Sequence, residues 1–154
     1  MTIETPEHHE TDDLIVASIH IKVAQEKMQE VFAPAVHELI DAIAGQGIEM
    51  AGPIFDHYHE ITDQYFDFDL CVPVSAPVEP EGRIKPSTLP AAKVIKTVYG
   101  GPYEGLPGAW EEFDSWLDEQ DISYRTDAVQ RYLVGPEEPD PANWRTELVR
   151  FVEE

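Results

Sequence analysis

The hydrophobic pattern of this chain passes through the same order of elements twice. Residues 14–23 alternate with a period of two, which predicts a strand, and residues 25–44 follow the 3.6-residue period of a helix. Two more strand patterns then cover residues 53–60 and 65–74. Pro34 lies inside the helical stretch, so we expect the helix to kink there or to begin anew after it.

A polar, proline-rich connector over residues 76–90 separates this first repeat from a second one. The second repeat has the same predicted order of strand, helix, strand and strand, over residues 91–99, 106–119, 127–134 and 144–152. Tyr58 and Tyr132 lie 74 positions apart, and Asp69 and Glu147 lie 78 positions apart, which supports a duplication. The sequence therefore predicts an α+β fold of two βαββ repeats, 14–75 and 91–154, with pseudo-twofold symmetry and a central ligand cleft.

A glycine-rich joint connects the first strand of the second repeat to its helix. The run Tyr99-Gly100-Gly101-Pro102-Tyr103-Glu104-Gly105-Leu106 ends a strand sharply and leads into an amphipathic pattern. It is not a phosphate-binding loop, because the glycines are not followed by Lys and then Ser or Thr. The joint instead gathers aromatic rings and carboxylates, a combination typical of a pocket for an apolar or cationic organic molecule.

The charge of the chain narrows the classes of partner that it can have. Its 154 residues include 31 acidic and 10 basic side chains, which give a formal net charge of −21. Such a charge repels phosphate backbones and anionic bilayers, so we expect no nucleic-acid partner and no membrane partner. A basic protein that docks on the acidic surface is an alternative partner.

The N-terminal residues and the cysteine content bear on the location of the protein and on its need for a cofactor. Residues 1–13 carry acids and two histidines without an apolar core, so they predict a disordered acidic leader rather than a signal peptide. Cys71 is the sole cysteine, which excludes an intramolecular disulfide and a cysteine zinc cluster and suggests a small buried apolar side chain. We expect a cytoplasmic protein that needs no cofactor.

Several segments from both repeats together carry a family resemblance. They are Leu89-Pro90-Ala91-Ala92-Lys93-Val94, the joint from Gly100 to Leu106 with Trp116 behind it, Asp67-x-Asp69-x-x-Val72-Pro73-Val74, and Arg145-Thr146-Glu147-Leu148. In combination they resemble the GyrI-like small-molecule-binding domain, which is also the effector-binding domain of bacterial multidrug-responsive transcription activators. The resemblance implies a tandem βαββ fold whose cleft is lined by aromatic rings and one or two acidic groups.

The resemblance also implies which side chains reach that cleft. Gln130 and Tyr132 point inward on their strand. By the same parity Asp56, Tyr58 and Glu60 point inward in the first repeat, and Phe55, His57 and His59 pack toward a helix. We expect Tyr58, Tyr132 and Trp110 to supply apolar contact. The full set of predicted ligand-binding residues is Tyr58, Asp69, Trp110, Gln130, Tyr132 and Glu147.

Three functions fit this reading. Many relatives carry a glutamate where this sequence has Gln130, and an amide cannot attract a cation by charge or act as an acid or base. Gln130 therefore weakens both the cation-binding and the hydrolase interpretations. The leading hypothesis is a stand-alone protein that binds or sequesters bulky aromatic, amphipathic or cationic compounds. The alternatives are a hydrolase of strained, cyclopropane-type natural products with Glu147 as its catalytic base, and an acidic protein-interaction module such as a gyrase-associated protein.

The histidines raise the question of a metal. His57-x-His59 puts two imidazoles on one strand, and a third ligand such as His20 would be needed for a site. No spacing in the sequence requires that third ligand, so we predict no metal site.

Overall fold

The computed structural model describes residues 3–153, which form two compact units. The first unit comprises residues 12–91, and the second unit comprises residues 3–11 and 92–153. Residues 1, 2 and 154, at the limits of the predicted leader and second repeat, lie outside the described residues. The elements are β1 (Glu7–Glu10), β2 (Leu14–Ala24), α1 (Met28–Gly45), β3 (Phe55–Ile61), β4 (Tyr65–Pro73), β5 (Ile84–Leu89), β6 (Lys93–Gly100), α2 (Leu106–Glu119), β7 (Tyr124–Val134) and β8 (Arg145–Val152).

The first unit is an antiparallel sheet in the order β3-β4-β2-β5, with α1 packed on one face. Helix α1 buries a stripe at helical spacing, Ala35, Leu39, Ala42 and Ile43, against the apolar alternate positions of β2 and β4. The helix continues through Pro34 instead of beginning anew there, although a proline in a helix interior removes one backbone hydrogen bond.

The second unit has the corresponding order β7-β8-β6-β1, with α2 packed on one face of its sheet. Phe113 and Leu117 of α2 and Leu148 of β8 are fully buried in this core. The joint before α2 is tight: Gly101 has φ +137°, and the hydroxyl of the buried Tyr99 donates a hydrogen bond to the Pro102 carbonyl at 2.9 Å. Only glycine adopts this backbone conformation without strain.

The two predicted βαββ repeats are confirmed, and each unit has one strand that the sequence did not predict. Strand β5 lies in the proline-rich connector, where Pro86 is tolerated because β5 is an edge strand. Strand β1 lies in the predicted disordered leader and pairs with β6. Its register sets Glu7 opposite Lys96 and Glu10 opposite Lys93, and such opposite charges across a strand pair are stabilising.

The pairing of the edge strands shows that the sequence repeats and the structural units have different boundaries. Strand β1 precedes the first repeat but pairs with β6 of the second, whereas β5 precedes the second repeat but pairs with β2 of the first. Over residues 3–153, neither helix combines the length and the apolar character that crossing a membrane requires.

Candidate ligand-binding site

Three of the predicted ligand-binding residues form one chain of hydrogen bonds in the second unit. The indole Nε1 of Trp110 on α2 donates to Gln130 Oε1 on β7 at 2.8 Å, and Gln130 Nε2 donates to the Tyr132 hydroxyl at 2.9 Å. Gln130 is buried, with 7 % of its surface exposed, while the two aromatic residues are half-buried. The amide therefore fixes the orientation of two rings that solvent still reaches.

Two further aromatic residues extend this chain into a cluster. The Tyr103 ring, from the joint, meets the Tyr132 ring edge-on with centroids 5.7 Å apart, and the Trp144 ring lies 4.7 Å from the Tyr103 ring. Trp144 is anchored by a hydrogen bond from its Nε1 to the Glu138 carbonyl at 2.8 Å. We call these five residues, Tyr103, Trp110, Gln130, Tyr132 and Trp144, the aromatic cluster.

Trp110 is held from a second side by a charged pair. The Arg150 guanidinium lies 5.2 Å from the Trp110 ring centroid, a cation–π distance, and it is paired with the Asp114 carboxylate at 2.8 Å. The Phe113 ring lies 6.0 Å from the Trp110 ring. Its indole N–H and its ring are therefore both contacted, which holds Trp110 in one orientation.

The structure places Glu147 on the opposite face of the sheet from the aromatic cluster. Strands β7 and β8 pair Gln130 with Leu148 and Arg131 with Glu147. Leu148 is in the core beneath α2, so Gln130 faces the helix and the neighbouring Glu147 faces away from it. There the Glu147 carboxylate accepts a hydrogen bond from Arg131 Nη1 in a half-buried ion pair.

The same separation occurs in the first unit. Tyr58 is part of the core beneath α1, with 7 % of its surface exposed. The register of β3 and β4 pairs Tyr58 with Phe68 and His57 with Asp69, so Asp69 lies on the face away from the helix. The predicted grouping of Tyr58 with Asp69 on one face is therefore not what the structure shows, because neighbouring positions on a strand alternate between faces.

Asp56 is not among the six predicted ligand-binding residues. Asp56 is fully buried, and its Oδ2 accepts a hydrogen bond from the Tyr58 hydroxyl at 3.0 Å. This pair repeats the Gln130–Tyr132 pair of the second unit, since each polar residue stands two positions before its tyrosine. The offset of 74 positions, which relates the two tyrosines, also relates Asp56 to Gln130 and is the signal that could have identified it.

The histidines form a second cluster, on the face of the first unit away from α1. The prediction that His57 and His59 pack toward a helix is wrong, because Tyr58 occupies the helix-facing position between them. Asp69 instead joins two imidazoles: its Oδ1 lies 2.8 Å from His20 Nδ1, and its Oδ2 lies 2.8 Å from His59 Nε2. Burial by itself would raise the pKa of Asp69, but the hydrogen bonds and positive charge of the two imidazoles bring that pKa below its ordinary value.

Comparisons with known proteins agree with this architecture. The family model for the GyrI-like small molecule binding domain matches residues 5–149. No curated protein matches the chain in sequence. The crystal structure of the EcmrR C-terminal domain is similar to the whole chain, with 23 % identity, a TM-score of 0.87 and 99 % of that domain covered.

Longer and more distant structures share the fold. In the EcmrR–DNA complex the chain matches with 22 % identity and a TM-score of 0.87, and it spans 59 % of the length of EcmrR. SAV2435 bound to tetraphenylphosphonium matches over 97 % of the chain and 94 % of SAV2435, with 13 % identity and a TM-score of 0.71. A hydrolase from Listeria innocua matches over 96 % of the chain and 91 % of the hydrolase, with 13 % identity and a TM-score of 0.68.

Proposed function

This chain belongs to the GyrI-like family of small-molecule-binding domains, and on that premise we propose that its aromatic cluster binds a bulky aromatic or amphipathic compound. The observation that carries the proposal is the hydrogen-bonded chain from Trp110 through Gln130 to Tyr132. It fixes two half-buried aromatic side chains through a buried amide. Ring surfaces with a few placed polar groups are the usual composition of a small-molecule site.

The cluster favours ring stacking over charge as the source of affinity. None of its five residues is acidic, and Glu147 is engaged by Arg131 on the other face of the sheet. A cationic ligand such as the tetraphenylphosphonium held by SAV2435 would therefore be bound here through its phenyl rings and through cation–π contact. Triphenylphosphine oxide is neutral and keeps three of the four phenyl rings, so we expect it still to bind, more weakly by about 1–2.5 kcal/mol for the missing ring and the missing cation–π contact.

A titration with tetraphenylphosphonium tests the proposal with a matched pair of variants. Trp110→Leu removes a ring of the cluster, whereas Trp116→Leu removes a ring on the same helix that packs at the edge of the core. Losing one aromatic contact costs about 0.5–1.5 kcal/mol, so Trp110→Leu should weaken binding by about two- to tenfold. Equal affinities of the two variants would remove the aromatic cluster from the binding site.

Hydrolysis is the alternative function that the similarity to the Listeria innocua hydrolase raises. Its proposed catalytic base, Glu147, accepts a hydrogen bond from Arg131, which holds the carboxylate away from the aromatic cluster. Glu147→Gln separates the two functions, since it should leave the binding of aromatic compounds unchanged. Turnover of a cyclopropane-bearing compound that disappears in this variant would instead establish the hydrolase.

The interaction-module alternative is distinguished by its response to salt. A basic protein partner would be attracted by the net charge of −21, and its affinity would fall steeply as salt screens that attraction. Stacking of a neutral compound on the aromatic cluster does not depend on charge, so its affinity should change little between about 0.05 and about 0.5 M NaCl. One titration series in salt therefore decides between the two modes.

A further inference from the structure

The histidine cluster of the first unit lies on three neighbouring strands. His20 is on β2, Asp69 is on the central strand β4, and His59 is on β3. The register pairs His20 directly with Asp69. Strands hydrogen-bonded to one another hold such side chains at a fixed spacing, so this cluster is assembled by the sheet rather than by a mobile loop.

A β-bulge brings His59 into the cluster. The β3–β4 register shifts between Tyr58 and Glu60, so His59 is the extra residue on the bulged strand. Bulges re-aim side chains, and here the His59 Nε2 atom reaches the second oxygen of Asp69 at 2.8 Å. The carboxylate thus contacts one imidazole through each of its two oxygens.

The distances within the cluster fit those of a metal site. The ligand atoms of His20, His59 and Asp69 all lie within 4.8 Å of one another. Tetrahedral zinc with bonds of about 2.0–2.1 Å places its ligand atoms roughly 3.3 Å apart. Both imidazoles are exposed, so small side-chain rotations can close the remaining gap and an ion has a path from solvent.

A carboxylate next to the cluster contacts His20 in the way that carboxylates contact metal-bound histidines. His20 approaches Asp69 with Nδ1, and its other nitrogen, Nε2, lies 3.0 Å from Asp67 Oδ1 in an ion-pair contact. A carboxylate beside the second ring nitrogen fixes the tautomer of a metal-bound histidine and raises its basicity. The His57 ring, 4.7 Å from the His59 ring, adds a third imidazole beside the cluster.

We infer that His20, His59 and Asp69 form a binding site for Zn²⁺ that links strands β2, β3 and β4. Two imidazole nitrogens and one carboxylate oxygen are the three protein ligands that zinc commonly takes, with water in the fourth position. The net charge of −21 raises the local concentration of divalent cations around the chain. The site uses other residues than the aromatic cluster, so its test is independent of the proposed function.

Titration of the full chain with Co²⁺ and then Zn²⁺ at pH 7.5 tests the inference. The result expected is saturable binding of one Co²⁺ per chain, with the intense visible absorption of four-coordinate cobalt, and its displacement by one equivalent of Zn²⁺. Zinc should also raise the melting temperature, because an ion that binds only the folded state stabilises it. Binding that does not saturate at one ion per chain would overturn the inference.

Substitutions at the cluster locate the ion. His59→Asn and Asp69→Asn each remove one ligand at a partly exposed position. Each should weaken zinc binding by at least about 10–100-fold, the loss that follows when a residue that only orients a metal ligand is replaced. His37→Asn, at an exposed position on α1, is the matched control and should bind like the parent. The double variant His8→Asn/His9→Asn removes the histidine pair of β1.

Each pattern of results has one meaning. Loss of binding in the two cluster variants with retention in both controls supports the site. Loss in the His8→Asn/His9→Asn variant with retention in His59→Asn and Asp69→Asn would assign the ion to β1 and overturn the inference. Equal affinity in all variants would show binding to dispersed surface carboxylates only, which overturns it as well.

Discussion

The hydrogen bond between Trp110 and Gln130 should couple these two residues energetically, and a double-mutant cycle measures that coupling. In Gln130→Leu the half-buried indole N–H loses the acceptor that stands 2.8 Å away. A buried donor left without a partner costs about 1–3 kcal/mol. In Trp110→Phe the donor is removed and the buried Gln130 Oε1 loses its partner, so only the double variant removes both groups.

The structure sets the expected size of the effect. The Trp110 side chain is only half-buried, so the stranded N–H belongs to the lower part of that range, about 1–2 kcal/mol. The Tyr132 hydroxyl also loses its donor in Gln130→Leu, but it is half-buried and regains water, which limits its share to roughly 0.5 kcal/mol. We expect Gln130→Leu to lower the free energy of unfolding by about 1.5–2.5 kcal/mol.

Urea unfolding followed by far-ultraviolet circular dichroism provides the assay, since the signal does not depend on the tryptophan that is replaced. The double variant Gln130→Leu/Trp110→Phe contains no stranded indole N–H. It should therefore be more stable than the sum of the single effects predicts, by about 1–2 kcal/mol. Additivity within about 0.5 kcal/mol would mean that the amide does not organise the aromatic cluster, and the reasoning would fail.

Other features of the structure lead to further measurable outcomes. Cys71 is 5 % exposed, and its burial, followed by the charges of Asp69 and Asp56, raises the pKa of its thiol. Iodoacetamide at pH 8, followed by mass spectrometry, should therefore alkylate it slowly in the native protein and rapidly in urea, and rapid native labelling would contradict its burial. A Cβ on Gly105 would stand 2.0 Å from the Tyr99 hydroxyl, whereas one on Gly108 meets nothing within 4 Å. In urea unfolding, Gly105→Ala should therefore destabilise the protein by about 1–3 kcal/mol and the control Gly108→Ala should stabilise it by up to about 1 kcal/mol, and equal effects would contradict the packing of the joint. With 31 acidic against 10 basic side chains, the melting temperature should rise with NaCl, most steeply below about 0.1 M where screening changes fastest, and a flat profile would mean that self-repulsion is unimportant.

The order of elements in the two repeats could be predicted because it depends on local patterns. The alternation over residues 14–23 and the helical stripe of α1 each reflect one buried face, and burial of a face is visible in the sequence itself. Strands β1 and β5 were missed because an edge strand buries little and shows no such pattern. Their positions are determined by pairing with β6 and β2, which is a long-range property.

Part of the candidate site was also predictable from local patterns. Trp110, Gln130 and Tyr132 meet as expected because strand parity and the position of α2 place them on one face. Glu147 and Asp69 do not join the tyrosines, since the face of each depends on the register between strands, and a shift of one residue reverses it. The cleft predicted between the repeats stays a prediction, as do the roles of all six residues in ligand binding.

The crossing of the two edge strands has a consequence for how this chain can be cut and rejoined. A break within residues 76–83 would yield an N-terminal fragment that carries the edge strand of the second unit and a C-terminal fragment that carries the edge strand of the first. Neither fragment contains a complete sheet, so we expect the pair to fold only by complementation. Two intact copies that exchanged these strands would make the same pairings between molecules, which is the route to a swapped dimer. Each unit therefore folds with an edge strand that lies outside its own sequence repeat, so the repeat alone is not the unit that folds.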